Sequence, residues 1–554
     1  MNIMKRSVRI LCMLLVFIIA LSACATDPGP GAVTPPAAPA TPATPATPAT
    51  PAEIPNFNPT GYPIVNEQIT MRVLFSANPN MPSDPNDLYI IQRAERITNV
   101  RIDYVSVQTD GFLERLNLML ATGDLPCIIE SQIPTSTLAR FGAEGAFIPM
   151  QYLIRDFAPN FRALYEEYPW LEAFITAPDG NIYGLAHIND GPWMHGNGLG
   201  VINVTWLDEL GLDMPTDIYE FRDVLRAFRD RDPSTIPLTF ETVFRGAWGL
   251  SYLFSSFGIA ICNTTEAYAT IIDGQVVNWA TLPEFKEAVI YFHSLFSEGL
   301  IDLEGFTMNN TAYRAKWNMD PPIVGAGQHW SLVGTVPNPD INQHFDYMPL
   351  LRGPDGRRPV FRRVPFAGVT RGWGVITSAA EHPEVAMRWL DYFYETNNSM
   401  EHLEGPIGVR LIEQPDGTLH LRPPPEGLTI TQDRWAWANV GVLAVPASVY
   451  RYRLRLPQTD PKVNFLWSFM NDYKNPTPML PVFYTYEEAM EMGQLQLDIQ
   501  THIDMRFATW VMNGGVEQEW DQFQRELEQI GLARWIEIKQ DAYDRFVAHG
   551  TMPW

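Results

Sequence analysis

Apolar residues in the first part of the chain alternate between the spacing of a β-strand and that of an α-helix. A two-residue spacing, as on one face of a strand, relates Ile69, Met71, Val73 and Phe75. After a loop rich in Pro, Asn and Asp, helical spacing relates Leu88, Ile91, Ala94 and Ile97. The pattern then predicts a strand over 100–107, a helix over 112–120 and a short strand over 127–130. This order predicts an α/β fold with a parallel sheet covered by helices.

Ligands of open parallel sheets bind beyond the carboxyl ends of the strands. In this chain those ends lead into the loops 76–87, 108–111 and 130–136. We therefore expect these three loops to line a binding site.

Three further segments carry one apolar face at helical spacing, at 218–228, 285–296 and 516–530. Thr281 and Glu284 have the spacing of a capping box, with Pro283 at the first helical position, and Gly299 is expected to end that helix. We expect all three apolar faces to pack in a core.

The N-terminus has the pattern of an export signal. The apolar run 10–21 follows Lys5, Arg6 and Arg9 and is too short for a permanent membrane span. Leu-Ser-Ala at 21–23 precedes Cys24, as in bacterial lipoprotein signals. Residues 1–23 are therefore predicted to be a signal peptide, and Cys24 the acylated N-terminus that anchors the chain to the outer leaflet. The alternative is an ordinary cleaved signal followed by a chance cysteine.

Residues 24–63 predict a spacer. They hold few large apolar side chains, and Thr-Pro-Ala occurs four times in succession over 41–52. Proline at every third position favours a solvated polyproline II segment, which would lift the following domain off the membrane. A ligand for an SH3-type domain is the alternative, but an outward-facing segment would meet no such partner.

Composition narrows the classes of partner. The length beyond the spacer predicts two or more domains or lobes. A formal net charge of −24 makes nucleic acid an improbable partner. After processing, Cys127 and Cys262 remain, and two cysteines leave open whether a disulfide forms. The chain contains no Cys/His cluster with metal-ligand spacing.

Five stretches resemble the family 1 extracellular solute-binding lipoproteins of bacterial carbohydrate ABC importers. The resemblance covers about residues 66–548, and the stretches occur in the order of the family. They are Asp-Gly-Asn-Ile-Tyr-Gly-Leu at 179–185; Trp-Leu-Asp-Glu-Leu-Gly-Leu at 206–212 with Pro-Thr at 215–216; Glu-Gly-Leu-Ile-Asp at 298–302; His-Pro-Glu-Val-Ala-Met-Arg-Trp-Leu-Asp at 382–391; and Trp-Ile-Glu-Ile at 535–538 with Ala-Tyr-Asp at 542–544.

This resemblance implies a two-lobe periplasmic-binding-protein-like fold of class II, similar to maltose-binding protein, with a multi-strand hinge. The lobes would close around a carbohydrate, and ABC permease subunits would receive it. The crossings between lobes are expected near 183–187, 346–351 and 405–409. The N-terminal lobe would then comprise 64–185 plus 346–405, and the C-terminal lobe 186–345 plus 406–554.

Aromatic content independently favours a sugar ligand. Pyranose rings present flat C–H faces to aromatic planes, and their hydroxyls need nearby polar groups. Of the sixteen tryptophans, four lie in Gly-rich or polar segments: Trp193, Trp248, Trp330 and Trp373. For Trp330 the resemblance adds support, since related proteins place a stacking Trp in a comparable segment. The alternative for each is a core or lobe-surface aromatic.

Polar candidates accompany these tryptophans. Gln328 and His329 precede Trp330 and could orient sugar hydroxyls. Arg371 could bind two hydroxyls or a carboxylate, or could be only a stacked surface cation. Weaker candidates at strand or hinge ends, where an exposed acid or a satisfied histidine is the more ordinary interpretation, are Asp110, Glu130 and His187.

The chain departs from the family in two places. The segment 229–235 is shorter than the Asp/Asn/Gly-rich loop of many relatives, and its two aspartates are too few for calcium, so no metal and no cofactor is expected. Cys127 stands where an aspartate is frequent in the family.

An enzyme is not expected, because nucleophile-elbow, zincin and P-loop motifs are all absent. A carbohydrate-active enzyme stays a remote alternative. A sugar-binding sensor or adhesin without a transport role is the nearer one.

Overall fold

The computed structural model of this chain describes residues 56–550 apart from 192–197, 247–248, 262–265, 267, 361–367, 429, 439–440, 456–464, 466–476 and 480. The predicted signal peptide, Cys24, Trp193, Trp248 and Cys262 lie outside the described residues.

The described strands are β1 Ile69–Ala77, β2 Val100–Gln108, β3 Ile128–Glu130, β4 Leu185–Asn189, β5 Leu199–Asn203, β6 Ile236–Leu238, β7 Ala269–Ile272, β8 Gln275–Asn278, β9 Val324–His329, β10 Phe345–Tyr347, β11 Val369–Trp373, β12 Val375–Ile376, β13 Leu411–Glu413, β14 Leu419–Leu421, β15 Ala444–Val445, β16 Leu454–Arg455 and β17 Thr477–Pro478.

The described α-helices are Tyr89–Thr98, Phe112–Thr122, Thr135–Ala143, Gln151–Phe157, Pro159–Glu167, Leu171–Ile175, Val204–Leu210, Ile218–Arg231, Ser251–Phe254, Pro283–Ser297, Asn310–Trp317, Leu332–Thr335, Pro339–Asn342, Pro383–Tyr392, Thr396–Glu404, Ile430–Trp435, Ala447–Tyr452, Tyr486–Asn513, Val516–Ile530 and Leu532–His549. Among these helices, none combines the length and the apolar composition that a membrane crossing requires.

The first sheet has the order β12-β3-β1-β2. Strand β1 runs parallel to both β2 and β3, which confirms the parallel arrangement predicted from the apolar spacing. Its inward side chains Met71, Val73 and Phe75 are buried. Strand β12 adds an antiparallel edge from a segment far along the chain, which no local pattern predicts.

A second sheet has the order β10-β5-β9-β6. A third, β11-β4-β15, joins three segments of the chain, with β11 antiparallel and β15 parallel to β4. We refer to it as the linking sheet. Two smaller sheets have the orders β13-β14-β16 and β17-β7-β8.

The three predicted amphipathic helices form, and their apolar faces are buried or partly buried. The expected capping box is wrong, however. Leu282 is the N-cap of Pro283–Ser297, while Thr281 belongs to a preceding 3-10 turn and its hydroxyl donates to the Asn278 carbonyl at 2.8 Å. Pro283 does occupy the first turn of the helix. In the helix Tyr89–Thr98, Ile97 is 38% exposed, so its apolar face is narrower than predicted.

The structure differs from the prediction at two boundaries, the end of the spacer and the expected crossing at 346–351. The ring of Phe57 packs edge-on against Phe157 at 5.5 Å, so the end of the predicted spacer belongs to the folded domain. Around the expected crossing at 346–351, Met348 N donates to Gly200 O at 2.8 Å and Arg352 N to Thr216 O at 2.9 Å. That segment therefore packs with the second sheet, and the described chain next contacts the linking sheet at Gly368, whose carbonyl accepts from Asn189 N at 2.7 Å, and at β11.

Candidate functional site

A cavity of about 790 Å³ lies where the three predicted loops meet. The residues of these loops that line it lie at the carboxyl ends of β1, β2 and β3 or directly after them, and they are Ser76, Asn78, Thr109 and Ser131 to Thr135. The parallel register explains this convergence, because Phe75 of β1 pairs with both Ser106 of β2 and Glu130 of β3. The structure thus brings together loops that the sequence places up to about sixty residues apart.

Hydroxyl and amide side chains lie among apolar ones along this wall. The Ser76 hydroxyl donates to Thr109 Oγ1 at 3.2 Å, which ties the first loop to the second. Rings of Phe75 and Phe112 contribute apolar surface beside them. Such a mixture of apolar surface with a few polar groups is typical of small-molecule sites.

A second wall is formed by β11 of the linking sheet, from which Val369, Thr370, Arg371 and Trp373 line the cavity. A register shift between Arg371 and Trp373 leaves Gly372 as an extra residue. Gly372 has φ +84°, and a β-carbon there would lie 2.5 Å from Ile133 O. Glycine is required at this position, because the 130–136 loop and β11 are held together by a hydrogen bond from Ile133 N to Gly372 O at 2.9 Å.

Trp373 is fixed from two sides. Its indole N–H donates to Thr370 Oγ1 at 2.9 Å, and its ring stacks on His187 with centroids 4.7 Å apart and 29° between planes. His187 in turn makes a hydrogen bond of 2.8 Å between Nδ1 and Gly441 O. The predicted candidate His187 therefore lies behind the cavity wall and supports Trp373.

Arg371 is 5% exposed and lines the cavity. Its guanidinium lies over the ring of Phe174 at 3.8 Å and near Phe483 at 5.1 Å, and Nη2 donates to Pro481 O. Burial lowers the pKa of Arg371 to about 9. The side chain is thus an oriented, desolvated donor rather than a stacked surface cation.

Among the lining residues that sequence reasoning missed, three carry polar or aromatic chemistry suited to a ligand: Glu266, Trp435 and Tyr484. Glu266 is 1% exposed, accepts the Tyr484 hydroxyl at 2.8 Å and forms a buried ion pair with Lys539. These partners are separated by more than 50 residues, so no local pattern marks them.

Trp435 ends the helix Ile430–Trp435, which a buried arginine holds in place. The guanidinium of Arg410 donates to Asp433 Oδ2 at 3.0 Å, to Ile430 O at 3.0 Å and to Glu404 Oε2 at 2.8 Å. Arg410 is 1% exposed, so this network is shielded from solvent. In the sequence, the only sign of this helix is the run of Asp433, Arg434 and Trp435.

Glu130, the last residue of β3, directly precedes the lining residue Ser131 and is 1% exposed. Its Oε1 accepts a long hydrogen bond from Val442 N at 3.4 Å, and burial raises its pKa to about 7. His187 and His402 contact the neighbouring Gly441, and burial lowers their pKa values to about 4 and about 3. Three titratable side chains therefore surround one backbone segment beside the linking sheet.

Other predicted site residues lie away from the cavity. Gln328 is buried in β9, where its amide group contacts Ser251, Tyr252 N and Gly246 O. His329 is buried edge-on against Trp317 at 4.1 Å. These two positions are core positions, because β9 is an interior strand of its sheet.

Trp330 directly follows β9 and is partly buried, and it is not among the residues that line the cavity. Asp110 is exposed in the turn beside the lining residue Thr109. Roles for Trp330 and Asp110 in binding remain predictions.

The described residues contain no group of three or more His, Cys, Asp or Glu that could hold a metal ion. Cys127 carries a free, partly buried thiol just before β3. It lies at the end of the strand opposite the cavity, so its replacement of a frequent aspartate does not alter the site.

An α/β chain whose strand ends, linking sheet and C-terminal segments enclose one large cavity is a ligand-binding protein of the solute-binding class. The model of the bacterial extracellular solute-binding protein family matches residues 78–398. The chain belongs to this family.

Relatives agree on the class. The chain is 30% identical over 509 residues to the fructooligosaccharide ABC transporter substrate-binding protein FusA of Streptococcus pneumoniae, covering 88% of this chain and 92% of FusA. The structure of FusA in complex with kestose has a TM-score of 0.72 and covers 87% of this chain and 100% of that one.

Two proteins of lower sequence identity are also similar to this chain. The lipoprotein LipO of Bacillus subtilis is 24% identical over 304 residues, 51% of this chain and 55% of LipO. An HMO-binding, ABC-transporter-associated solute-binding protein of Bifidobacterium longum infantis is 19% identical with a TM-score of 0.75, covering 87% of this chain and 99% of that one, which shows the shared fold.

These comparisons confirm the predicted family, the α/β solute-binding fold class and the prediction that the protein is a binding component and not an enzyme.

Proposed function

We propose that this protein is a lipid-anchored, extracellular receptor that captures an oligosaccharide and delivers it to an ABC importer. One observation carries the proposal: a large cavity of mixed aromatic and polar lining, at the strand ends of a chain 30% identical to a fructooligosaccharide-binding relative over 92% of that relative. The fold alone would leave the ligand open.

The lining suits a sugar. Trp373 and Trp435 provide aromatic planes, and hydroxyl, amide and guanidinium groups of Ser131, Gln132 and Arg371 lie around the same space. Sugar hydroxyls both donate and accept, so they match this mixture better than an all-apolar ligand would. The volume of about 790 Å³ lies high in the range of ligand pockets, which favours several sugar units over one.

The linking sheet supports a hinge. Strands β4, β11 and β15 join segments that lead to the first and second sheets, and we place the crossings between two lobes there. A ligand that binds the closed state better would shift the equilibrium toward closure. The radius of gyration from solution scattering should then fall at saturation, and an unchanged profile would contradict the hinge.

Anchoring is supported by the signal pattern around Cys24 and by the likeness to a lipoprotein. The Thr-Pro-Ala repeats would act as a spacer, so that the cavity could reach a permease while the lipid stays in the membrane.

Calorimetry tests the proposal. The chain without its signal should bind an oligosaccharide from a panel that includes kestose, and Trp373→Ala should weaken binding by at least about 2 kcal/mol, roughly thirtyfold. Trp435→Ala should do the same. Trp520→Ala, a partly buried tryptophan on the helix Val516–Ile530, is the matched control and should keep the affinity. Absence of binding to every member of the panel would refute the proposal.

A further inference from the structure

We propose that the ligand of this cavity is an acidic oligosaccharide, whose carboxylate or sulfate group binds the guanidinium of Arg371. The inference rests on the proposed function, since it names the chemical class of sugar for the same cavity.

The first observation is the donor left over on Arg371. Rings of Phe174 and Phe483 lie near the guanidinium, and Nη2 donates to Pro481 O. Nη1 is buried and has no hydrogen-bond partner within the described part of the chain. Arg371 lines the cavity, so a small rotation of its side chain would present this donor to an acceptor on the ligand.

The second observation is the charge balance. Among the described residues, no carboxylate forms an ion pair with Arg371 within 4 Å, and the charge of Glu266 acts on the guanidinium only at longer range. The carboxylate that lines the cavity, Glu266, forms its ion pair with Lys539 and also accepts from Tyr484. Within the described part of the chain, the cavity wall and its immediate support therefore place two cations, Arg371 and Lys539, beside the shared carboxylate of Glu266.

A buried charge without a counterion is costly, and a guanidinium is suited to carboxylate and sulfate oxygens in particular. A neutral sugar hydroxyl could accept one hydrogen bond from Nη1 but would leave the excess charge unbalanced. An anionic group satisfies both the donor and the charge, and charge-assisted hydrogen bonds are the stronger kind. The cavity should therefore favour an acidic sugar over a neutral one of equal length.

The test is a comparison of matched ligands by calorimetry at neutral pH. Trigalacturonate is compared with its neutral methyl ester, a sulfated galacto-oligosaccharide supplies the second anion, and kestose is the neutral reference. The wild-type chain should bind at least one anionic sugar about tenfold or more tightly than the neutral ester. The tighter of the two anions then identifies the acidic group.

Variants assign this preference to Arg371. Arg371→Gln should remove it, and Arg371→Lys should retain part of it, because the charge remains while the planar fork is lost. The control is Arg72→Gln, which removes a cation of β1 that pairs with Asp124 and should leave the preference unchanged. If Arg371→Gln does not fold, the role of Arg371 is decided by whether the preference for anionic over neutral sugars is smaller in Arg371→Lys than in the wild type.

The outcomes separate the two proposals. Tight binding of kestose or the methyl ester, with no gain for either anion, would overturn the acidic ligand and leave the oligosaccharide receptor standing. An acid preference that survives in Arg371→Gln would overturn the role of Arg371. Failure to bind any of the four sugars would overturn both proposals.

Discussion

Replacing Glu130 by Gln should stabilise the protein in a pH-dependent way. Glu130 is 1% exposed at the end of β3, and within the described part of the chain its carboxyl group accepts one hydrogen bond, from Val442 N at 3.4 Å. Burial therefore disfavours the carboxylate and raises the pKa of Glu130 from 4.5 to about 7. Glutamine has nearly the same shape and cannot ionise.

The size of the effect follows from that shift. A folded-state pKa raised from 4.5 to about 7 corresponds to about 3 kcal/mol at most. The raised pKa means that the folded state holds the Glu130 proton more tightly than the unfolded state does. The contribution of Glu130 to the free energy of unfolding is therefore fully present below about pH 4.5 and is lost as pH rises to about 7. Above that pH, the ionised carboxylate costs the wild type this free energy, and Glu130→Gln avoids the cost.

Urea unfolding of both proteins at about pH 5 and about pH 8 measures the difference. The variant should gain little at the lower pH and up to about 3 kcal/mol more at the higher one. His187 and His402 titrate in both proteins and cancel in the comparison. Glu114→Gln, at an exposed position, is the control and should show no comparable change. An equal stability difference at both pH values would refute the assigned ionisation of Glu130.

Three shorter predictions complete the set. Gly441→Ala should cost about 1 to 3 kcal/mol, seen as a lower melting temperature, because a β-carbon would overlap Glu130 Oε1. Arg410→Ala should lower the free energy of unfolding by about 3 to 5 kcal/mol, since Glu404 and Asp433 would stay buried without their cation. A loss in urea unfolding as small as that of an exposed ion pair would contradict this. Cys24→Ala should release the protein from membranes, and a variant that still sediments with membranes after a high-salt wash would contradict anchoring through Cys24.

Local sequence was enough to predict the three parallel strands of the first sheet and the place of the cavity at their ends. The two-residue spacing in β1, the helical spacing before β2 and the turn at Thr122-Gly123 depend only on neighbouring residues, so they can be recognised without a fold. Parallel strands then place their carboxyl ends together. Trp373 and Arg371 were predicted because glycines and polar residues surround them, and that composition reflects a bulge that aims both side chains at the cavity.

Tertiary structure alone distinguished the site residues from similar segments elsewhere. Gln328 and His329 stand in an equally Gly-rich stretch, yet β9 is an interior strand and its side chains are buried among those of other elements. Trp435 lies on a helix that the buried Arg410 holds through Asp433, and Tyr484 lies beside the buried ion pair of Lys539 with Glu266, 273 residues away in sequence. The sequence determined strands, helices and loop ends because these follow from local periodicity; which aromatic and charged groups share one cavity depended on packing between segments hundreds of residues apart.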